Sequence, residues 1–360
     1  MPGDIMIVGL NGALQRTITL NSLAQGAVNR GQSVKQGIGG KGQNVYVAAK
    51  KCQETSLPVK LVQFVGSSFE GEYLTQLLSS LARENTRRTS MSESDLLTVR
   101  TPGRQRTAIT LVDNGKGGEA TEIVEPGEIV PTDCVDSLLL TLNERYKFTK
   151  VSAIAFMGSM PPGCPKNTYC GILRLVADEN TKVLLDTVVL DDVFQTCVEM
   201  QCEVVLKVNG RELCSLADIK IQTTCESVFA TPKQALEDAA NNIFVKYAVV
   251  HTIAVTDGAF AAHVFRRKTS DDCRYIGFGR TELALPKLPS ADVNPIGAGD
   301  AVASGTLIAW ATSRNERISV RDTINEAFKW GLCCGAASCL SSKCSTFERS
   351  LAEELYEQIK

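Results

Sequence analysis

From about residue 151 onward, short apolar runs alternate with amphipathic stretches, and no other feature restricts the possible folds of this chain as strongly. Residues 151–157, 183–186, 203–208 and 249–256 read as strands apolar on both faces, with helix candidates at 166–179, 191–200 and 232–246 between them. A strand that is apolar throughout must be covered on both sides. A helix between successive strands supplies that cover and forces the strands parallel. Residues 5–10 have the same character and read as a first strand, and three helices are expected after Gly299, at about 300–312, 319–339 and 346–359.

The first third has a different texture. Polar and apolar residues alternate at 16–20, 32–36, 98–113 and 121–124, the pattern of a half-exposed sheet, with helices expected from near Gly42 and over 69–83. Asn114-Gly115-Lys116-Gly117-Gly118 suits a hairpin tip, because Asn-Gly tolerates the positive φ of such turns. The chain therefore reads as one large α/β domain over 1–360, carrying a small β lid made from two excursions, about 11–37 and 96–125.

Composition narrows the partners. A chain of 360 residues can bury a full core, and a formal net charge of −2 with 22% charged residues points to neither nucleic acid nor an anionic membrane. The longest apolar runs fall short of a membrane span. Thirteen cysteines without a CxxC pair, beside only His251 and His263, argue against zinc, and so long a chain does not need a disulfide framework. Cys333, Cys334 and Cys339 sit in apolar runs, where a free thiol packs as a small hydrophobe. No signal peptide precedes the first strand, so the expected compartment is the cytoplasm. An organelle whose targeting peptide has been removed fits the same pattern.

Two glycine-rich segments each open a helix. In Asn294-Pro295-Ile296-Gly297-Ala298-Gly299-Asp300, glycines at a helix start let backbone N–H groups approach an anion, and the helix dipole adds positive charge there. Such a site can hold the charge of a transferring phosphoryl group while the adjacent carboxylate accepts a proton from an attacking hydroxyl. The plainer alternative makes Asp300 a helix cap and the glycines a turn. The second segment, Gly37-Ile38-Gly39-Gly40-Lys41-Gly42-Gln43-Asn44, taken alone suits a hairpin end with a solvated lysine. It carries neither the dinucleotide-binding fingerprint nor a P-loop.

Together the segments resemble the N-terminal GGKGxN and C-terminal GAGD signatures of the ribokinase/PfkB carbohydrate kinases, in the right order and at a fitting separation. The resemblance extends over nearly the whole chain. Leu10-Asn11-Gly12-Ala13-Leu14 is similar to an LNPAI element, Ala27-Val28-Asn29-Arg30 to VNR, and Met157-Gly158-Ser159-Met160-Pro161-Pro162-Gly163 to SGSLPPG. Lys207-Val208-Asn209-Gly210-Arg211-Glu212-Leu213 resembles KPNxxEL, and Thr256-Asp257-Gly258 a nucleotide-side TxG turn. The form of Val293-Asn294-Pro295-Ile296-Gly297 is nearest the sugar-phosphate branch that includes 1-phosphofructokinase and tagatose-6-phosphate kinase.

That resemblance implies a ribokinase-like three-layer α/β/α sandwich, ATP and Mg²⁺ as cofactors, Asp300 as base, and the Ala298 and Gly299 amides beside Gly297 as an anion hole. Asn209 and Glu212 would place Mg²⁺ through its water shell, their alternative being a helix cap with an acidic first turn. Lys207, Thr256 and Gly258 would border the nucleotide, and Ala336, Ala337 and Ser338 its base. Asn11, Gln15, Arg30, Gly39, Gly40, Lys41, Asn44 and Ser159 would hold the sugar. Arg106 takes the place of a lid arginine that grips the substrate phosphate in a GETRxNxK strand, the alternative being an arginine-decorated sheet edge.

Departures from the pattern bear on the substrate. The sugar-hydroxyl aspartate is Gln15, the asparagine and lysine after the lid arginine are Ala108 and Thr110, and a glycine after the TxG turn is Ala261. A carboxylate only accepts hydrogen bonds, whereas an amide also donates, so sugar recognition should differ. The first expectation is a kinase for a ketohexose phosphate such as fructose 1-phosphate, fructose 6-phosphate or tagatose 6-phosphate. The alternatives are a kinase for an unphosphorylated sugar or a nucleoside, and a non-catalytic regulatory relative. A homodimer through the lid follows by analogy, and a monovalent-cation requirement stays open because Asn294 stands where ribokinase-like members have an aspartate.

Overall fold

In the computed structural model, which describes residues 3–52, 57–84, 95–221, 230–270, 274–289, 293–313 and 320–359, the first strand divides its side chains between two cores. Met6, Val8 and Leu10 of β1 (Ile5–Asn11) enter one, and Ile5 and Ile7 the other. The period of two along a pleated strand makes that division, and helices on each side complete it. The first face is covered by α3 (Thr132–Arg145), α4 (Thr168–Val176), α5 (Asp191–Glu199) and α7 (Lys233–Lys246). The second is covered by α1 (Lys41–Cys52), α2 (Phe69–Glu84), α8 (Ala298–Thr312), α9 (Val320–Cys339) and α10 (Arg349–Glu357).

Among the described residues, nine strands form the main sheet in the order β13-β12-β11-β10-β9-β8-β1-β4-β5. β4 (Val59–Gly66), β8 (Ala153–Met157), β9 (Lys182–Asp186), β10 (Glu203–Asn209) and β11 (Val250–Asp257) run parallel with β1. The layers are those of the expected α/β/α sandwich, and the later strands and helices fall close to their expected places. Residue 319, the expected start of α9, lies outside the described residues.

Three differences stand out. Residues 98–101, read with the small sheet, belong to β5 (Leu96–Thr101), which pairs parallel with β4 at the edge of the main sheet. An edge strand is covered incompletely, so it carries the same alternating pattern as a lid strand. β12 (Phe260–Thr269) and β13 (Tyr275–Leu283) extend the sheet antiparallel beyond β11, and neither strand was expected. Their polar and apolar residues are mixed because only part of each strand is buried. Helix α3 was not expected either.

A separate four-stranded sheet, β3-β2-β6-β7, is built from β2 (Ala13–Leu20), β3 (Ser33–Gly39), β6 (Thr107–Asp113) and β7 (Glu119–Val124). The Asn114–Lys116 turn joins β6 to β7, with Asp113 accepting from the Gly115 N–H and Gly117 in the left-handed region at φ 69°. The chain enters this sheet at the carboxyl end of β1 and returns at the start of α1, so the small sheet stands over one end of the large one.

Candidate functional site

Ligands in open α/β sheets bind beyond the carboxyl ends of the strands, where the connections turn to opposite sides. Here β1 lies between β8 and β4, and the ends of several strands on this side carry residues singled out above. Asn11 ends β1, Ser159 follows β8, Asn209 ends β10, and Thr256 lies near the end of β11. α1 and α8 start at the same end. Helix α1 can sit there because Gly42 packs directly on Gly9 of β1, where a Cβ on either residue would strike the other backbone. Gly297 precedes α8 in the left-handed region at φ 78°, with its α-carbon face closed by Cys344 and Ser345.

The two glycine-rich segments meet through their side chains. Asn44 Nδ2 donates to Asp300 Oδ2 at 2.8 Å. A pocket of about 380 Å³ opens beside this bond. Its lining takes in Asn11, Gln15, Gly40, Lys41, Asn44, Arg106, Ser159, Gly297 and Asp300, so nine of the expected residues share one cavity. Gly39 adjoins it, and a Cβ on that residue would press on Ala13 and the Gln15 amide oxygen. Arg30 does not line it; that residue is exposed in the connection between β2 and β3.

Beside the pocket is an ion network that sequence reading missed. Asp186, at the end of β9 and 1% exposed, receives Lys41 Nζ at 2.5 Å on one oxygen and Lys207 Nζ at 2.9 Å on the other. Lys41 also reaches Glu212 Oε1 at 3.0 Å. Burial alone would raise the Asp186 pKa, but the two ammonium groups outweigh it and hold the carboxyl below its usual range. Burial likewise opposes the charge on Lys41, and its two carboxylate partners overcome this and raise its pKa. Asp300 goes the other way. Burial, and then the nearby Asp186 charge, push it up to about 6, against the Asn44 hydrogen bond and the lysines.

Asn209 and Glu212 form a complete capping box on α6 (Gly210–Leu216). The Glu212 N–H donates to Asn209 Oδ1 at 2.8 Å, and the Asn209 N–H donates to Glu212 Oε2 at 2.9 Å. These are the geometries of the plainer alternative. Both side chains are engaged, so neither stands free as a direct metal ligand, and no group of three His, Cys, Asp or Glu among the described residues could cage an ion. The donor set fits a metal that arrives with phosphates and keeps its own water. The Ala298 N–H, expected in an anion hole, instead donates to the Pro295 carbonyl at 3.1 Å. In this conformation the free amides of the first turn of α8 are those of Gly299 and Asp300.

On the expected nucleotide side, Thr256 and Gly258 flank Asp257, whose carboxylate takes the Thr231 N–H and hydroxyl. Gly258, at φ 63°, has open space where a Cβ would project. Ser338 on α9 is 1% exposed, and its hydroxyl has no partner among the described residues. A buried orphaned hydroxyl is a place for a ligand atom, and it fits a nucleotide there.

The small sheet closes the pocket with Gln15, Ala108, Glu122 and Val124. Arg106 is pinned to the backbone, its Nη2 on the Asn11 carbonyl at 2.6 Å and Nε on the Gly12 carbonyl at 3.2 Å. Asn11 Nδ2 in turn reaches Ser159 Oγ at 3.1 Å. Two of the departures noted above prove to be partners: Gln15 Nε2 donates to the buried Thr110 hydroxyl at 2.7 Å.

Replacing Asp186 with asparagine leaves Lys207 buried against a neutral amide. Asp186→Asn should therefore lose roughly 3 kcal/mol or more of unfolding free energy, read from denaturant midpoints. A depressed folded pKa means the wild-type contribution is present above the ordinary aspartate value of 3.8 and lost as pH falls below it, so the gap between the two proteins should narrow in acid. A gap of constant size down to strongly acid pH would count against the ion network.

Comparison with known proteins agrees with this architecture. 1-Phosphofructokinase of Bacillus subtilis is 26% identical over 357 residues, covering 99% of this chain and 98% of that protein. The structure of phosphofructokinase-2 from Escherichia coli in complex with fructose-6-phosphate superposes with a TM-score of 0.71 at 18% identity, covering 100% of this chain and 99% of that one. Ribokinase from Giardia lamblia gives 0.74 at 13% identity, covering 99% and 100%. The model of the pfkB family carbohydrate kinases matches residues 5–350, and the chain belongs to that family of ATP-dependent carbohydrate kinases.

Proposed function

We propose that this kinase phosphorylates a sugar that already carries a phosphate, a ketohexose phosphate, with Asp300 as the base. The observation that carries the reading is the placement of Asp300 and Arg106 on the walls of one pocket. Arg106, held by two carbonyls, lines a cavity where Asn11 and Ser159 add polar atoms. The chain's similarity to a 1-phosphofructokinase supports the same class of substrate.

A substrate hydroxyl beside Asp300 gives up its proton to the carboxylate as its oxygen bonds to the terminal phosphorus of ATP, and ADP leaves. The Gly299 and Asp300 amides at the start of α8 face the charge on the transferring group. Lys41 and Lys207, anchored on Asp186, supply positive charge next to it. Asn209 and Glu212 would hold Mg²⁺ through its water shell, and the ion would supply positive charge for the nucleotide phosphates.

A base must be ionised to accept a proton, so kcat/KM should fall as pH drops through about 6, the value to which Asp300 is raised. Asp300→Asn should lower kcat by about 100-fold or more, without lowering the melting temperature, because the buried carboxylate costs stability above that pH. A variant of undiminished kcat would remove Asp300 from the chemistry.

The substrate is tested by ADP release with Mg²⁺-ATP across phosphorylated and free sugars. Arg106→Ala should raise KM for the phosphorylated sugars alone. Turnover restricted to free sugars or nucleosides would favour the alternative that the neutral Gln15–Thr110 pair suggests.

The small sheet also bears on assembly. Gln15, Thr110 and Glu122 face the pocket side, and the opposite face presents Ile18, Val34, Ile109 and Ile123. Val34 is 60% and Ile123 52% exposed. An apolar sheet face of this kind fits a second copy of the chain, the sheet acting as both lid and dimer contact. Ile123→Asp should convert the protein from dimer to monomer in analytical ultracentrifugation; a wild-type monomer would dispose of the idea.

A further inference from the structure

The wall that the small sheet contributes to the pocket carries one charge that the reading above leaves unused. Glu122 of β7 lines the cavity with Gln15, Ala108 and Val124. Along the β6–β7 ladder it lies directly opposite Thr110, and Val124 lies opposite Ala108. Directly opposed residues project from the same face, so Glu122 stands beside the Gln15–Thr110 hydrogen bond, while Arg106 marks the far end of the same wall. The two charges of this wall thus lie at opposite ends of it.

Every other carboxylate of the site is committed. Asp186 holds two lysines, Glu212 holds Lys41 and the α6 cap, and Asp300 holds Asn44. Glu122 has no hydrogen bond and no ion pair among the described residues. Gln15, at the position where the resemblance expects a sugar-binding aspartate, is a neutral amide with one N–H given to Thr110. The remaining strong acceptor on this wall is Glu122. It also lies near enough to Cys344, across the pocket beside Gly297, to add to the burial and the Asp300 charge that push that thiol up. Glu122 and Cys344 line the same cavity, the first from the lid and the second beside Gly297.

Water hydrates an exposed carboxylate while the pocket is empty, and a bound anion that displaces this water repels the group unless it offers hydrogens to accept. Neighbouring hydroxyls of a sugar provide these, one to each oxygen, in charge-assisted hydrogen bonds. We propose that Glu122 is a specificity-determining residue that binds adjacent hydroxyls of the acceptor sugar, while Arg106 takes the phosphate at the other end of the same wall. The inference rests on the sugar-phosphate reading, and it makes the pocket bipolar: the acceptor enters in one orientation, hydroxyls toward β7 and phosphate toward the start of β6.

The test is steady-state kinetics of the full chain with Mg²⁺-ATP, on the best ketose phosphate of the panel and on its deoxy analogues, each lacking one hydroxyl. Glu122→Gln should raise KM for the sugar phosphate about 10- to 100-fold, the loss expected of a charged hydrogen bond, with KM for ATP unchanged. The wild-type preference for the full sugar over one deoxy analogue should shrink by a similar factor, and Glu122→Asp should recover part of it. A purely structural role would not move that preference. An unchanged KM with an unchanged preference overturns the proposal, and so does a lowered KM, which would mark Glu122 as a repulsive gate. Should the wild type turn over free sugars alone, the sugar-phosphate reading fails by itself. The same comparison on the free sugar then decides Glu122: a raised KM keeps it as the reader of hydroxyls, and an unchanged one removes it.

Discussion

The buried carboxylate of Asp186, held between Lys41 and Lys207, is the interaction on which the arrangement of the site depends. An anion so enclosed is tolerable only with cations against it, and here each oxygen has its own. Lys41 opens α1, Lys207 belongs to β10, and Asp186 ends β9, so three elements of different origin in the chain are tied at one point. The tie also sets the chemistry next to it. Two aspartates lie within reach of the same lysines, yet one is driven below its ordinary range and the other above it. Pairs of carboxyl groups whose surroundings separate their titrations are a recurrent way of obtaining an acid or base that works near neutrality.

The large sheet supplies the coordinates for this arrangement. Its central strands are buried on both faces, which makes their ends reproducible platforms, and the connections that leave those ends carry the polar groups. The close Gly9–Gly42 approach lets α1 descend far enough for Asn44 to reach α8. Ser345 donates to the Gly297 carbonyl at 3.0 Å and steadies the turn that begins α8 from the far side.

Much of this was legible in the sequence, for particular reasons. Continuous apolar runs identify β8 to β11 because each strand is covered twice. Gly297–Asp300, Gly39–Asn44 and Asn209–Glu212 are legible because each is a local structure, a helix start, whose residue types follow from backbone geometry. Strands β5, β12 and β13 were misplaced or unseen because partial exposure mixes their composition. Asp186 gives no local signal: a lone aspartate ending an apolar run becomes an ion-pair centre only when distant lysines converge on it. Arg30, part of a recognisable stretch, stays in an exposed connection away from the pocket. The Ala298 amide, expected to be free, is used by a turn to Pro295 that only coordinates reveal. Glu122 was passed over because an acidic residue in an exposed strand is ordinarily solvated.

The pocket has two walls of independent origin, and this has a consequence for how such a protein changes through time. Asp300, the helix starts and the ion network are mounted on the large sheet, whereas Gln15 and Thr110 satisfy one another and Glu122 lines the pocket from the small one. The Gln15–Thr110 bond crosses only between β2 and β6, so its exchange for another pair leaves the nucleotide side untouched. A lineage built on this plan is free to drift toward new acceptors through a handful of paired replacements in four short strands, while the machinery for breaking ATP stays under unrelaxed constraint.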